Sequence, residues 1–216
     1  SAPTPGAVDL CITLLKLYGT WSFEQAAGPV LVLLDAGGEQ WYPRLAITLR
    51  KLVEAEQACT GSRTEKLAAA RDRFYTGDVA DELVAWYRET GSFLRKRDLA
   101  AQVTRVENPV SVNYRGYTVY KCGPWTQGPY LCQSLRLLEG YDLEAMGHLS
   151  TDYIHVVTES LKLAFADRDE YYGDPLFTDV PLRRLLSSRY TNRRRSLIDM
   201  QSASLLRRPG DPGRMQ

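Results

Sequence analysis

Between Val110 and Cys122 the chain changes its period. Apolar and polar residues alternate there, Val, Tyr and Thr are abundant, and Arg115-Gly116 stands at the centre. This is the pattern of two short strands joined by a turn, with Asn108-Pro109 marking where they begin. Most of the remaining chain carries helical spacing, so the expected fold is predominantly α with a short β-strand pair. The corner that follows, Gly123-Pro124-Trp125-Thr126-Gln127-Gly128-Pro129, is expected to be a shaped loop. Its glycines and prolines suit neither the continuation of a strand nor that of a helix.

Several helices carry their own start and stop signals. Ser22 is followed three residues later by Gln25, the spacing of a capping box, then by an apolar run to Leu34 that Gly37-Gly38 ends. A second helix is predicted over Pro43 to Ala58, with Leu45, Leu49, Leu52 and Val53 on one stripe. Thr64-Glu65-Lys66-Leu67 opens a third, and Asp78 to Glu89 carries a fourth ahead of Gly91. Beyond the corner a helix runs from about Tyr130 to Glu139, closed by Gly140. The longest helix takes Ser150 as its cap and Asp152 at its positive end. Ile154, Val157, Leu161 and Phe165 form its apolar stripe, and it ends near Gly173-Asp174-Pro175. A short basic helix follows Pro181. Three regions result: a helical part over 1–107, the strand pair with long helices over 108–200, and a tail over 201–216. The tail is rich in Arg, Pro and Gly and is expected to be poorly ordered.

A chain of 216 residues can bury a sizeable core. Its 27 Lys+Arg nearly cancel 26 Asp+Glu, which leaves no electrostatic case for nucleic acid or an anionic membrane. No run approaches the roughly 20 apolar residues of a membrane span. Ser1 to Gly6 has neither the basic flank nor the apolar run of a secretory signal. Cys11, Cys59, Cys122 and Cys132 form no CxxC pair and only two histidines accompany them, which argues against a zinc site. The cysteines read as small, mostly buried thiols, and neither metal nor cofactor is expected. Spacing does not decide whether Cys122 and Cys132 meet, so the redox compartment stays open.

Single residues make weak cases for chemistry. Ser1 offers an N-terminal hydroxyl with its own amine as base, but its surroundings look like a loop or a chain boundary. His155 has Asp152 and Glu159 about one helical turn to either side, and a half-buried helix histidine paired with a neighbour explains it better. His148 sits in a loop after Gly147. Asp167-Arg168-Asp169-Glu170 reads as a salt-linked surface or interdomain contact, and Arg193-Arg194-Arg195 as a solvated helix face. The corner Gly123–Pro129 is the most interesting local feature, because its glycines permit close approach and Thr126 and Gln127 offer hydrogen-bonding groups. A rigid strand-to-helix corner explains it more simply.

The order of segments says more. Tyr114-Arg115-Gly116-Tyr117-Thr118-Val119-Tyr120, the Gly/Pro corner, and Leu137-Leu138-Glu139-Gly140-Tyr141-Asp142-Leu143 resemble the γ-glutamyltranspeptidase family in sequence and order. So do Leu161-Lys162-Leu163-Ala164-Phe165-Ala166-Asp167-Arg168 and Tyr172-Gly173-Asp174-Pro175. Upstream, Tyr18-Gly19-Thr20, Phe74-Tyr75-Thr76-Gly77 and Asp98-Leu99-Ala100 match as well, and the resemblance runs from about Pro5 to Asp199. It implies a fragment of an N-terminal nucleophile hydrolase with an αββα architecture, namely the later part of the large subunit. It further implies a precursor that cuts itself, a new N-terminal threonine as nucleophile, and attack on a γ-glutamyl amide such as glutathione. The group then passes to water or to an amine, without any metal.

The resemblance places none of the catalytic groups on this chain. The family's α-carboxylate arginine precedes the equivalent of Ser1–Gly6, and its nucleophile and oxyanion groups follow the equivalent of Gln216. Substrate-binding candidates are confined to Trp125, Thr126 and Gln127. Typical members have several prolines followed by Ser-Ser-Gly-Gly at this corner, whereas Trp125 here adds a large flat apolar group and points to an altered donor or acceptor. The expected partner is the remainder of the precursor, including the small subunit, with a γ-glutamyl substrate bound by the intact protein. An isolated fragment would leave a strand edge and apolar surface uncovered and is expected to self-associate. The alternative is a relative that has lost catalysis and serves as a scaffold or binding module. The sequence following Gln216 separates the two. The compartment stays open, although members of the family are often exported.

Overall fold

The computed structural model describes residues 3–37 and 42–213. The chain divides into two compact units, Ser1–Arg105 and Val106–Gln216.

The first unit contains α1 (Ala7–Tyr18), α2 (Phe23–Ala36), α3 (Pro43–Ala58), α4 (Arg63–Tyr75), α5 (Asp78–Glu89) and the short α6 (Lys96–Ala100). The predicted capping box forms at α2: the Ser22 hydroxyl accepts from Gln25 N at 3.0 Å, and Ser22 N donates to the Gln25 side chain at 2.9 Å. Gly38, expected to help end that helix, lies outside the described residues. Helix α3 has the predicted bounds, and α4 begins at a second capping box made by Ser62 and Glu65. Helix α1 is not singled out by the sequence because its N-cap, Gly6, supplies no side-chain acceptor.

Side chains distant in sequence finish these helices. The carboxylate of Glu56, only 3 % exposed, accepts from Phe23 N at 2.7 Å and Glu24 N at 2.8 Å. A negative charge thus meets the positive end of α2 and satisfies two of its orphan donors. At the other end of α1, the Arg63 guanidinium donates to the Leu15 and Trp21 carbonyls, each at 3.0 Å. Ile12, Leu52, Leu67, Tyr75 and Leu99 lie at the centre of the core, fully buried. Beside it, buried Asp9 accepts from Arg71 and from Thr104 N, which fixes the chain beyond α6 to α1.

In the second unit, β1 (Val110–Tyr114) and β2 (Tyr117–Lys121) form an antiparallel hairpin in which Val112 faces Val119. Arg115 and Gly116 have φ of 50° and 88°, so both central turn residues are left-handed, as a type I′ hairpin requires. Gly116 N donates to the Asn113 side chain at 3.1 Å. Helix α7 (Gly128–Leu138) packs on this hairpin and starts earlier than predicted. Pro129 falls in its first turn, where no N–H is needed, so Gly128-Pro129 belongs to the helix and not to the loop. A Cβ on Gly128 would run into the Cys122 carbonyl oxygen, so the close approach needs glycine.

After α8 (Leu143–Met146), the long α9 (Thr151–Tyr171) is capped by Ser150, whose hydroxyl accepts from Tyr153 N at 3.1 Å. Short α10 (Leu182–Leu185) and α11 (Ser188–Arg195) follow. The buried face of α9 is not the stripe read from the sequence. Ile154 is 51 % and Phe165 39 % exposed, while Val156, Glu159, Ser160, Leu163, Ala164, Ala166 and Asp167 point inward. Small residues let α7 come close, and the two buried carboxylates are matched by arginines that helical periodicity does not reveal.

Those arginines also change the reading of the chain's end. The tail expected to be poorly ordered forms no helix or strand over 201–213, yet it is tied down. Arg208 donates to Glu159 at 3.0 Å, Gly210 N donates to Asp167 at 2.7 Å, and Gly210 O accepts from the Tyr171 hydroxyl at 2.6 Å. Of the triplet Arg193-Arg194-Arg195, Arg193 is exposed as a solvated face would have it, but the other two are not. Arg194 is 4 % exposed and ion-paired to Asp167, and Arg195 donates to the Leu137 and Arg136 carbonyls at the end of α7. The cysteines are less buried than expected: Cys132 is buried, Cys59 partly so, and Cys11 and Cys122 are exposed. Among the described residues, no helix is long and apolar enough to cross a membrane.

Candidate functional site

The corner between β2 and α7 borders an open cleft of about 530 Å³ in the second unit. Pro124, Trp125, Thr126 and Gln127 line one side; Arg168, Asp169 and Tyr172 with the Gly173-Asp174 turn line the other. All three binding candidates read from the sequence are therefore on its wall. The corner is rigid as well. The Thr126 hydroxyl donates to Gly123 O at 2.9 Å and accepts from Gly128 N at 3.0 Å, and the Trp125 indole N–H donates to Glu107 at 2.8 Å.

Arg168 brings a positive charge to a lining that also carries Asp169 and Asp174. Its guanidinium donates to Gln127 Oε1 at 2.9 Å and to Asp169 Oδ1 at 2.6 Å, and it stacks over Phe165 at 4.7 Å. Trp125 keeps 56 % of its surface exposed beside it. Burial pushes the Tyr172 phenol well above its ordinary range and the charge of Asp167 adds to the effect, so this wall residue stays protonated. The cleft thus presents a flat apolar indole, an amide and a partly neutralised guanidinium. The Thr126 hydroxyl itself is committed to the loop.

The other candidates go elsewhere. His155 Nε2 lies 2.8 Å from Asp199 O, while Glu159 turns inward to Lys162 and Arg208. The histidine thus meets a backbone carbonyl 44 residues along the chain and not a neighbour on its own helix. His148 stands edge-on to Tyr153 with ring centres 5.6 Å apart. Within Asp167–Glu170, Asp167 is fully buried, which no surface contact would require, whereas Glu170 pairs with Arg207 outside at 3.1 Å. Ser1 lies outside the described residues. Among those residues no cluster of His, Cys, Asp and Glu is suited to hold a metal ion.

Comparison with known proteins decides the family. The model for gamma-glutamyltranspeptidase matches residues 34–212, well over half of the chain. The chain belongs to the γ-glutamyltranspeptidase family. It is 32 % identical to a glutathione hydrolase proenzyme of Pseudomonas sp. (strain A14), covering 96 % of this chain and 41 % of that protein. It is 34 % identical to the acylase ACY 1 proenzyme of Pseudomonas sp. (strain SE83), covering 79 % of this chain and 30 % of the relative. The chain thus spans less than half the length of these curated relatives. The crystal structure of Helicobacter pylori γ-glutamyltranspeptidase superposes with a TM-score of 0.76 at 26 % identity, covering 98 % of this chain and 68 % of that one. Among its described residues this γ-glutamyltranspeptidase-family chain is mostly helical with a two-stranded antiparallel sheet, and solved structures similar to it include a γ-glutamyltranspeptidase. The inward carboxylates of α9 and their arginines are what sequence reasoning missed. No local signal sets Glu159 and Asp167 apart, because the same helix carries Asp152, Asp169 and Glu170, which are exposed.

Proposed function

We propose that this chain is the later part of the large subunit of an enzyme that transfers or hydrolyses γ-glutamyl groups, using an N-terminal threonine supplied from beyond Gln216. The observation that carries this reading is the family match over 34–212, taken with relatives that are proenzymes of more than twice the matched length. In the self-cleavage that the reading requires, the threonine hydroxyl oxygen bonds to the carbonyl carbon of the preceding residue. The C–N bond breaks, the amine takes the proton, and water hydrolyses the resulting ester to a carboxylic acid and the free hydroxyl. The freed amine then serves as base for the same hydroxyl in turnover.

Within this reading the chain's role is binding and support. Trp125, Thr126 and Gln127, with Arg168, form a wall on which the non-glutamyl part of a donor, or an acceptor amine, is held. The indole favours a flat or apolar group there. The acylase relative supports a donor other than glutathione as one outcome.

Turnover of γ-glutamyl-p-nitroanilide by the chain 1–216 and by the full-length gene product tests the reading. Activity is expected only in the full-length protein, and it should vanish when the junction threonine becomes alanine. Activity in 1–216 alone would place the catalytic groups here and return attention to Ser1. A full-length protein without a cleavable threonine after Gln216 would favour the scaffold reading.

A further inference from the structure

A heavily built polar cluster of the second unit lies where α9 and α11 hold the segment 204–210. Asp167 is fully buried, and its two oxygens receive a fork from Arg194, with contacts of 3.1 and 3.2 Å, as well as the Gly210 N–H at 2.7 Å. Arg194 also donates to the Arg208 carbonyl. Glu159, equally buried, accepts from Arg208 at 3.0 Å and Ser204 N at 3.3 Å, and Lys162 donates to Ser204 O. Tyr171 donates to Gly210 O, and a Cβ on Gly210 would collide with the Tyr190 hydroxyl and the Arg194 side chain. Burying two carboxylates is costly unless each is paired and fully hydrogen-bonded. Here many of the compensating groups come from the irregular tail itself. A segment with no helix or strand is therefore held at both Ser204 and Gly210 by fixed charges.

We propose that Asp167, Arg194, Glu159 and Gly210 form a clamp whose task is to position the chain downstream of Gly210 for self-cleavage. The proposal rests on the reading that a nucleophilic threonine follows Gln216. Released from the clamp, the chain swings from about Asp199, where buried Ile198 and the His155 contact still hold it; clamped, it is held at least as far as Gly210. Hydroxyl and scissile carbonyl travel together, so what the tether sets is how often the junction meets the rest of the folded precursor; each doubling of its length lowers that effective concentration about threefold. A misplacement of about 1 Å can cost about 100-fold where attack geometry is tight. The four are positioning residues and touch neither substrate nor the reacting atoms.

The test follows the full-length precursor as it converts to two pieces, at a temperature well below the unfolding midpoint, with rates scaled to the folded fraction. Gly210→Ala displaces the tail while leaving both charges in place, and it should slow conversion at least about threefold. Arg194→Met should slow it further, and Arg194→Lys, which keeps the charge but not the fork, should fall between Arg194→Met and wild type. Arg207→Ala, which removes only an exposed tail pair, should convert at the wild-type rate. Wild-type conversion rates in folded Gly210→Ala and Arg194→Met would overturn the clamp, as would equal slowing by Arg207→Ala. A wild-type precursor that never cleaves would instead overturn the underlying reading, and the clamp with it.

Discussion

Asp9 shows how one buried charge governs a unit's response to acid. Burial by itself would raise its carboxyl, but hydrogen bonds from Arg71 and Thr104 outweigh that and hold it below the ordinary range. A depressed folded value means stability that is fully present above the unfolded value of about 3.9 and is lost as pH falls through the folded one. Asp9→Asn should therefore cost about 3 kcal/mol at pH 7, since it removes the buried charge that Arg71 and Thr104 N both meet, although Arg71 keeps Asp72 and the Gln102 carbonyl. In urea unfolding, the gap to wild type should shrink below about pH 4; a constant gap would contradict the pairing. The cysteines make a second residue-scale test. Burial raises the Cys132 thiol, with the charge of Lys121 opposing it, while Cys11 and Cys122 are exposed. Iodoacetamide at mildly alkaline pH should label Cys11 and Cys122 and spare Cys132 until the chain unfolds. Comparable labelling of Cys132 in the native chain would place it at the surface.

At the scale of elements, helix ends divide into those closed locally and those closed from afar. Ser22 with Gln25 and Ser62 with Glu65 are local, and only the first of these capping boxes is read from the sequence. Glu56 belongs to α3 and finishes α2, 33 residues away in sequence. Glu56→Ala removes the acceptor for two amides at once and should destabilise the first unit by about 2 kcal/mol. Amide exchange should rise first at Phe23 and Glu24; unchanged protection there would show that the capping box alone holds the helix end. The hairpin belongs to the local class, since Arg115-Gly116 needs only its own left-handed turn. Helix α9 does not. Its outward stripe of Ile154 and Phe165 has helical spacing as good as that of the buried face, and periodicity has no means of telling which is covered.

For the whole molecule, what matters is how much apolar surface and strand edge the chain leaves open. The hairpin pairs only with itself among the described residues, and Tyr117, Tyr120, Ile154 and Phe165 are exposed in the same unit. Such surface favours association. Sedimentation of purified 1–216 should show concentration-dependent self-association that the full-length protein lacks, whereas a strictly monomeric 1–216 would argue that these faces are not meant to be covered.

By itself, the sequence determined what depends on neighbours along the chain, together with the order of its segments. The bounds of α3 and α5, the caps at Ser22 and Ser150 and the hairpin turn all rest on contacts or patterns within a few residues, and the family resemblance rests on the order in which such local patterns follow one another. The tertiary structure decided which face of α9 is buried, why Arg194 is not a solvated arginine, where Glu56 and Arg63 spend their charges, and that the stretch 204–210 is held rather than loose. The physical reason is the cost of burying charge. A carboxylate such as Asp167 enters a core only if its partners converge on it, and those partners, Gln133, Arg194 and Gly210, lie 34, 27 and 43 residues away. Nothing in the local spacing records a meeting across such distances.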